Sequence, residues 1–417
     1  MDAQAGIARR AGLGRTHGIV ALAWLCAATA GMLLAPSPDP TVGPDALRQP
    51  LQIDFFSYWS GYRVFRSGLN PYDTRNSASA FGFEIPCNRA PNNPPWLFFL
   101  MAPILNLPLA PASLLWLGIE VALAIGTTLW IWRGLLFAAR PPPSASVALA
   151  ASALAVPVVL AMHYGQTSML LVAAATAAMI ALAQGHFFWA GVWLSVCTLK
   201  PHLFLIPGLL ACHEMCRNPR ARWVLGGGAV GLTAITALPL AMNPAALGQW
   251  LDISARVGLL DWKTSCLQTW IRLGIRALGL GEPAWICWLF PVVAAIVTIA
   301  YLVIRRPAIA WATALPPALV LSLVCAPYHW SYDQALSLPL QTQLLGAAAD
   351  RDVPVRDRRA IVISVAILFL LAYALKAALP NEMYFFWYPF ALLGLWVRFR
   401  RAFPARWRSD AAGPEMR

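Results

Sequence analysis

Apolar runs alternate with short polar breaks along nearly the whole chain. They fall at 18–35, 95–109, 113–132, 146–162, 168–184, 187–199, 202–214, 224–242, 285–304, 308–325, 334–348, 360–379 and 384–399. A helix needs roughly 20 apolar residues to cross the hydrocarbon core of a bilayer, with a lower limit near 17. The longer runs therefore predict membrane-spanning helices. The shorter ones predict broken, tilted or re-entrant elements. The stretch "NPPWLFFLMAPILNLPL" is one of these, because its prolines lack amide donors and shorten any helix. The pattern as a whole predicts an all-α polytopic membrane protein.

One stretch breaks the pattern. "QIDFFSYWSGYRVFRSGLNPYD" runs from Gln52 to Asp73 and follows the first apolar run. Read as a helix from Asp54, it sets Phe55, Trp59 and Tyr62 at i, i+4 and i+7, giving one aromatic face. Gly68 supplies a stop and Asn70-Pro71 a turn. The spacing predicts an amphipathic helix along the outer membrane surface, its aromatics in the headgroup layer. Asp54 in its first turn has two readings. An acid there stabilises the helix dipole and caps free amides, or it serves as a general base near the bilayer surface.

Composition and charge agree with a membrane class. The 417 residues are 59% hydrophobic and only 12% charged, against roughly 25% charged in soluble domains. The net charge of +13 comes from 31 basic and 18 acidic residues. The arginines sit between apolar runs, at positions 9–15, 217–222, 305–306, 351–359 and 398–408, which argues against nucleic acid and for the positive-inside rule. Setting those clusters inside puts 36–94, 163–167, the surroundings of Lys200, 243–284, 326–333 and 380–383 outside. About 12 crossings with both ends cytoplasmic satisfy this arrangement. Residues 1–400 then form a single transmembrane domain with a basic tail at 401–417, and the first apolar run is an uncleaved helix rather than a signal peptide. Most of the 19 tryptophans are read as interface belts, and none is assigned to sugar stacking. Eight cysteines include no Cys-x-x-Cys pair, so no zinc or redox motif is suggested. Cys87 and Cys266 both fall in outer loops, as a disulfide or as free thiols.

Four blocks in order carry a family resemblance: "DFFSYWSGYRVFRSGLNPYD", "NNPPWLFFLMAPILNLPLAPASLLW", "GQTSMLLVAAATAAMIALAQGHFFWAGVWLSVCTLKPHLFLIPGLL" and "PYHWSYDQALSLPL". Together they span about Asp54 to Leu340 and resemble glycosyltransferase family 87, a group of GT-C-type membrane enzymes. The chain departs from the family at "KTSCLQTWIRLG", where an Asn-Gln-Ser triplet is usual. The resemblance implies a GT-C fold with a long first extracytoplasmic loop that carries juxtamembrane helices. It implies transfer of a sugar, mannose in the best-known members, from a polyprenyl-phosphate donor to a glycan or glycolipid acceptor. Transfer occurs on the outer face of a bacterial inner membrane, with inversion at the anomeric carbon. Asp54 matches the family's catalytic acid. No cofactor, metal or nucleic-acid partner is expected.

Further candidates join Asp54. Lys200 interrupts an apolar stretch at "TLKPHLF"; a lysine there is costly and so a phosphate-binding candidate, or it snorkels to the surface. His329, Tyr332 and Asp333 in "PYHWSYDQ" are candidates for donor contact, with a satisfied loop histidine and a helix cap as the plainer readings. Gln166 contacts sugar or bridges helices. Arg63 and Tyr72 are further substrate candidates. Glu120 within "WLGIEVALAIG" reads as a structural acid facing the bundle. A transporter or flippase of lipid-linked sugars is the competing class, though the paired repeats common in transporters are not seen. A structural assembly protein is a third reading.

Overall fold

A computed structural model of the chain describes residues 2–34, 52–77, 81, 91–138, 141–256, 262–404 and 407, with backbone alone for 2–17. Among the described residues every regular element is helical. Cys87 and most of the 401–417 tail lie outside them.

Among the described residues, four helices are long and apolar enough to cross a membrane: Leu109–Leu136, Pro219–Met242, Ile286–Arg305 and Val355–Ala378. A fifth candidate is bent. Ser146–Leu154 and Val156–Tyr164 meet at 55°. The cause is local: Ala155 is extended at φ −62°, ψ 120°, and Pro157 follows without an amide to continue the ladder. Five further apolar helices of 10–17 residues are shorter than a simple span requires. Against an expected count of about 12 crossings, four or five helices among the described residues qualify on length and composition. Trp96–Leu105 is the short element that the prolines foretold; it is buried on nearly all sides, so its apolar length is spent on protein contacts.

Small residues bring the bundle together. Ser168–Ala183 is buried along almost its whole length. Phe187–Cys197 packs on it, and on Trp223–Met242 from the other side. Here the backbones touch. A Cβ on Gly227 would overlap the Phe188 carbonyl, and one on Gly191 would overlap the Val224 carbonyl. Close approach through Gly at helical spacing is the packing mode open to helices that gain nothing from hiding apolar surface from lipid. By contrast, Ile286–Arg305 exposes Trp288, Val292, Ile296 and Val303, a face that fits hydrocarbon.

The stretch around Asp54 is a helix, Ile53–Arg66, and Gly68 at φ +75° ends it as its sequence implied. Its aromatics do not lie in the headgroup layer. Phe55, Trp59, Tyr62 and Phe65 are all buried. Phe65 packs on Phe98 at 5.3 Å between ring centroids, the Tyr62 hydroxyl donates to Asn106 Oδ1 at 3.1 Å, and the Trp59 indole donates to the Leu107 carbonyl at 2.8 Å. The helical period revealed an apolar face, but its cover is the 96–107 segment rather than lipid. Gln52, not Asp54, is the N-cap residue, and its side chain makes no capping bond. Its amide instead donates to Glu120 Oε2 at 3.0 Å and to the Met162 carbonyl at 2.7 Å. Glu120 is fully buried in the bundle, where a structural acid was expected.

Candidate active site

A cavity of about 780 Å³ opens at one end of the bundle. Its wall draws on six separate stretches: 53–93, 164–166, 199–200, 249–262, 328–333 and Glu382. These are the stretches that the arginine distribution groups on one side. Basic segments meet one another elsewhere: Arg217 reaches the Pro307 carbonyl, and the Trp407 indole donates to the Leu136 carbonyl at 2.9 Å.

Asp54 lines the cavity from the first turn of its helix. Its neighbour is supplied by a turn that only glycine makes easily. The Val156–Tyr164 helix ends at Gly165, which is left-handed at φ +69°. A Cβ there would press on Phe55 and Gln52, so Gly165 is required twice, for its φ and for its contact with the start of the Asp54 helix. The turn delivers Gln166 into the cavity. Gln166 Nε2 donates to Asp54 Oδ2 at 2.5 Å, while Oε1 accepts from the Tyr58 hydroxyl at 3.0 Å and from Lys200 Nζ at 3.1 Å.

Lys200 follows the Phe187–Cys197 helix, just before Pro201 starts a short 3-10 turn. Its ammonium lies 2.6 Å from Asp333 Oδ1 and 5.0 Å from the centre of the Tyr332 ring. Asp333 is buried. It also accepts from the Ser168 hydroxyl at 3.0 Å and from the Trp330 amide at 3.1 Å. Burial alone would raise its pKa; the Lys200 ammonium outweighs that and holds the carboxyl below the usual carboxylate range. Asp54, Gln166, Lys200 and Asp333 thus form one hydrogen-bonded chain across the cavity wall. Among the described residues, no three His, Cys, Asp or Glu side chains group as metal ligands would.

The stretch from Tyr328 to Asp333 has two faces. Tyr328, Trp330 and Tyr332 are half-buried and line the cavity, whereas His329, Ser331 and Asp333 are buried. Two other segments anchor it. Ser265 donates its amide to the His329 carbonyl at 3.0 Å. Glu382 accepts from the Ser331 amide at 3.0 Å and pairs with Lys376 at 2.6 Å. In the divergent "KTSCLQTWIRLG" stretch, polar residues brace the wall from behind: the Gln268 amide donates to the Ala326 carbonyl at 3.0 Å, and Arg272 pairs with Glu282 at 3.2 Å.

Six of the eight candidate residues line the cavity: Asp54, Tyr72, Gln166, Lys200, Tyr332 and Asp333. The Tyr72 hydroxyl is already committed to the Asn93 carbonyl at 3.0 Å. Two candidates lie elsewhere. Arg63 comes about two and a half helical turns after Asp54 and so points to the opposite side; its guanidinium covers the Trp59 ring and donates to the Leu107 carbonyl at 3.2 Å. His329 sits behind the wall, with Nδ1 3.0 Å from Cys266 Sγ and Nε2 3.2 Å from Gln334 Nε2. Burial lowers its pKa to about 4, so the ring is neutral at pH 7 and brings no charge to an anion. Sequence reasoning missed Tyr58, Tyr164, Ser168, Trp262, Trp330 and Glu382. Tyr58 carried a signal, being one helical turn after Asp54. Trp330 carried another, in the alternation of aromatic and small or polar residues through "YHWSYD".

An all-helical membrane protein with an acid–amide–ammonium chain in a large polar cavity has the features of an enzyme acting at the membrane surface. The chain belongs to glycosyltransferase family 87, whose model matches residues 92–327, and it is therefore a membrane glycosyltransferase. No curated protein and no solved structure matches it. Asp54 and the 328–333 stretch lie outside or at the edge of the matched region, so their roles rest on geometry and chemistry.

Proposed function

We propose that the cavity is where a sugar, mannose by family precedent, passes from a polyprenyl-phosphate donor to a glycan or glycolipid acceptor. Asp54 acts as general base. The observation that carries this reading is the bridge from Asp54 through Gln166 to Lys200, which sets a carboxylate and a cation on one cavity wall. The acceptor hydroxyl gives its proton to Asp54 as its oxygen attacks the anomeric carbon. The bond from that carbon to the phosphate oxygen breaks, and polyprenyl phosphate leaves. Attack opposite the leaving group inverts the centre. Charge on the departing phosphate is met by the Lys200 ammonium, whose three protons exceed the two directed to Asp333 and Gln166. The fold is of the GT-C type, and the arginine distribution asks for about 12 crossings. Convergence of six polar stretches at one end of the bundle supports a site on the extracytoplasmic face of a bacterial inner membrane. Membership in a glycosyltransferase family favours this reading over a transporter.

The test is sugar transfer from a synthetic polyprenyl-phosphate donor in detergent. Asp54→Asn keeps a side-chain oxygen for Gln166 but cannot take a proton. It is expected to fold normally and to lose about 10²–10⁴-fold in turnover. Near-normal turnover would remove Asp54 from the chemistry.

A further inference from the structure

The aromatic side of the cavity has no part in the proton and phosphate chemistry, yet it is the most continuous feature of the wall. Rings contact one another in series. Tyr332 lies against Trp330 at 6.2 Å between centroids and 20° between planes; Trp330 meets Trp262 at 6.1 Å; Trp262 meets Tyr328 at 5.0 Å. Tyr164 extends the series beyond Tyr332 at 5.7 Å. Interface-belt tryptophans expose themselves to lipid, as Trp223, Trp285 and Trp288 do. Trp262 and Trp330 instead line the cavity. The alternation at 328, 330 and 332 keeps their faces there, and the buried partners of His329, Ser331 and Asp333 hold the segment in place.

The rest of the wall has the complementary character. Asn92, Asn93, Gln249 and Asp252 contribute amides and a carboxylate to the same cavity. A sugar ring matches that pairing. Its axial C–H groups carry slight positive charge and rest on the negative face of an aromatic ring, while its hydroxyls reach amides and carboxylates at the edge. A peptide would call for backbone partners and apolar pockets, and a bare lipid for an apolar channel. Five rings in series also present more surface than one donor sugar covers.

We propose that the acceptor's sugars lie along Tyr332, Trp330 and Trp262, with Trp330 determining acceptor binding. This rests on the transferase reading above, and it names the residues that hold the acceptor at the same site.

Trp330→Leu removes the ring face and Trp330→Phe keeps one; both are compared with the unaltered full-length protein in detergent. The first readout is binding of manno-, gluco-, galacto- and arabino-trisaccharides and of a serine-rich peptide, measured by saturation-transfer NMR and calorimetry. At least one trisaccharide is expected to bind. Trp330→Leu should weaken it about tenfold and Trp330→Phe about threefold or less. The second readout is kinetic: Trp330→Leu should raise the acceptor KM and leave the donor KM unchanged. Equal trisaccharide binding by Trp330→Leu and the unaltered protein would overturn the proposal. So would binding of the peptide with no trisaccharide bound, or a change confined to the donor KM. The two readings fail separately. If no polyprenyl-phosphate sugar is ever turned over, yet trisaccharide binding depends on Trp330, the saccharide site stands and the donor assignment falls. If transfer proceeds to a non-saccharide acceptor, unaffected by Trp330→Leu, the donor assignment stands and the saccharide site falls.

Discussion

Asp54 and Lys200 are joined through a single side chain. Gln166 turns its NH₂ to the carboxylate and its carbonyl oxygen to the ammonium, at 2.5 and 3.1 Å. A side-chain amide satisfies an acceptor and a donor at once from separate atoms, and does not change charge with pH. The bridge therefore holds a carboxylate and a cation in fixed relation.

Replacing that amide separates orientation from charge. Gln166→Leu removes hydrogen bonds to two charged groups, each worth about 1.5–3 kcal/mol, and should lower kcat/KM by about ten- to a thousandfold. Gln166→Glu places a second carboxylate beside Asp54. Like charge raises the Asp54 pKa, so the acid limb of the kcat/KM profile should move to higher pH. A pH–rate series on the three proteins decides this; an unmoved acid limb in Gln166→Glu would show that Asp54 is not the titrating base.

The Lys200–Asp333 pair makes a different demand. Asp333→Asn strands a buried ammonium, at a cost of about 3–5 kcal/mol. The double variant Lys200→Met/Asp333→Leu removes both charges and should recover most of the stability. It should still bind donor poorly, losing about 1.5–3 kcal/mol of phosphate contact. Thermal unfolding and donor KM, measured together, distinguish an anchor from a phosphate ligand. Unchanged donor KM in the stable double variant would make the lysine structural.

Acid sensitivity should appear in two stages. His329 is held neutral, its pKa lowered by burial to about 4. The unfolded chain therefore binds a proton that the folded one does not as pH falls below about 6.5, and stability declines from there. Asp333 acts later. Its folded pKa is lowered, so its contribution is complete above the unfolded value of about 3.9 and is lost only as pH falls further. Unfolding measured from pH 8 to 4 should show the first decline, and His329→Asn should make it shallower by up to about 1.4 kcal/mol per pH unit.

Gly165 should tolerate no side chain. Gly165→Ala forces alanine into the left-handed region, which costs about 1–3 kcal/mol, and adds contact with Phe55 and Gln52. Stability and turnover should fall together, because the same turn aims Gln166. A variant of normal stability and activity would show that the turn has slack.

Orientation has its own test. In a background without native cysteines, Arg256→Cys on the exposed cavity rim should react with an impermeant thiol reagent in intact cells, and Arg220→Cys only after permeabilisation. The reverse pattern would turn the cavity toward the cytoplasm.

The helical membrane class was legible in the sequence alone, because hydrocarbon forces backbone groups to pair within helices and so imposes long apolar runs. Gln166 and Lys200 fall in short breaks between such runs, where the Gly165-Gln166 and Lys200-Pro201 pairs mark turns, and Asp54 opens the aromatic stretch after the first run; all three line the cavity. Helix lengths were less legible: prolines and the Ala155 bend cut the runs where hydropathy continues. Periodicity shows that a face is apolar without showing what covers it, and the aromatics of the Asp54 helix met protein where lipid was expected. Tertiary structure alone decided which polar groups meet. Arg63 and His329 lie in the segments that reach the cavity, yet one lies around the helix from Asp54 and the other on the inner side of the alternating 328–333 stretch. Local sequence sets the direction of a side chain relative to its own backbone. Only packing between segments far apart in the chain sets the direction of that backbone relative to the cavity.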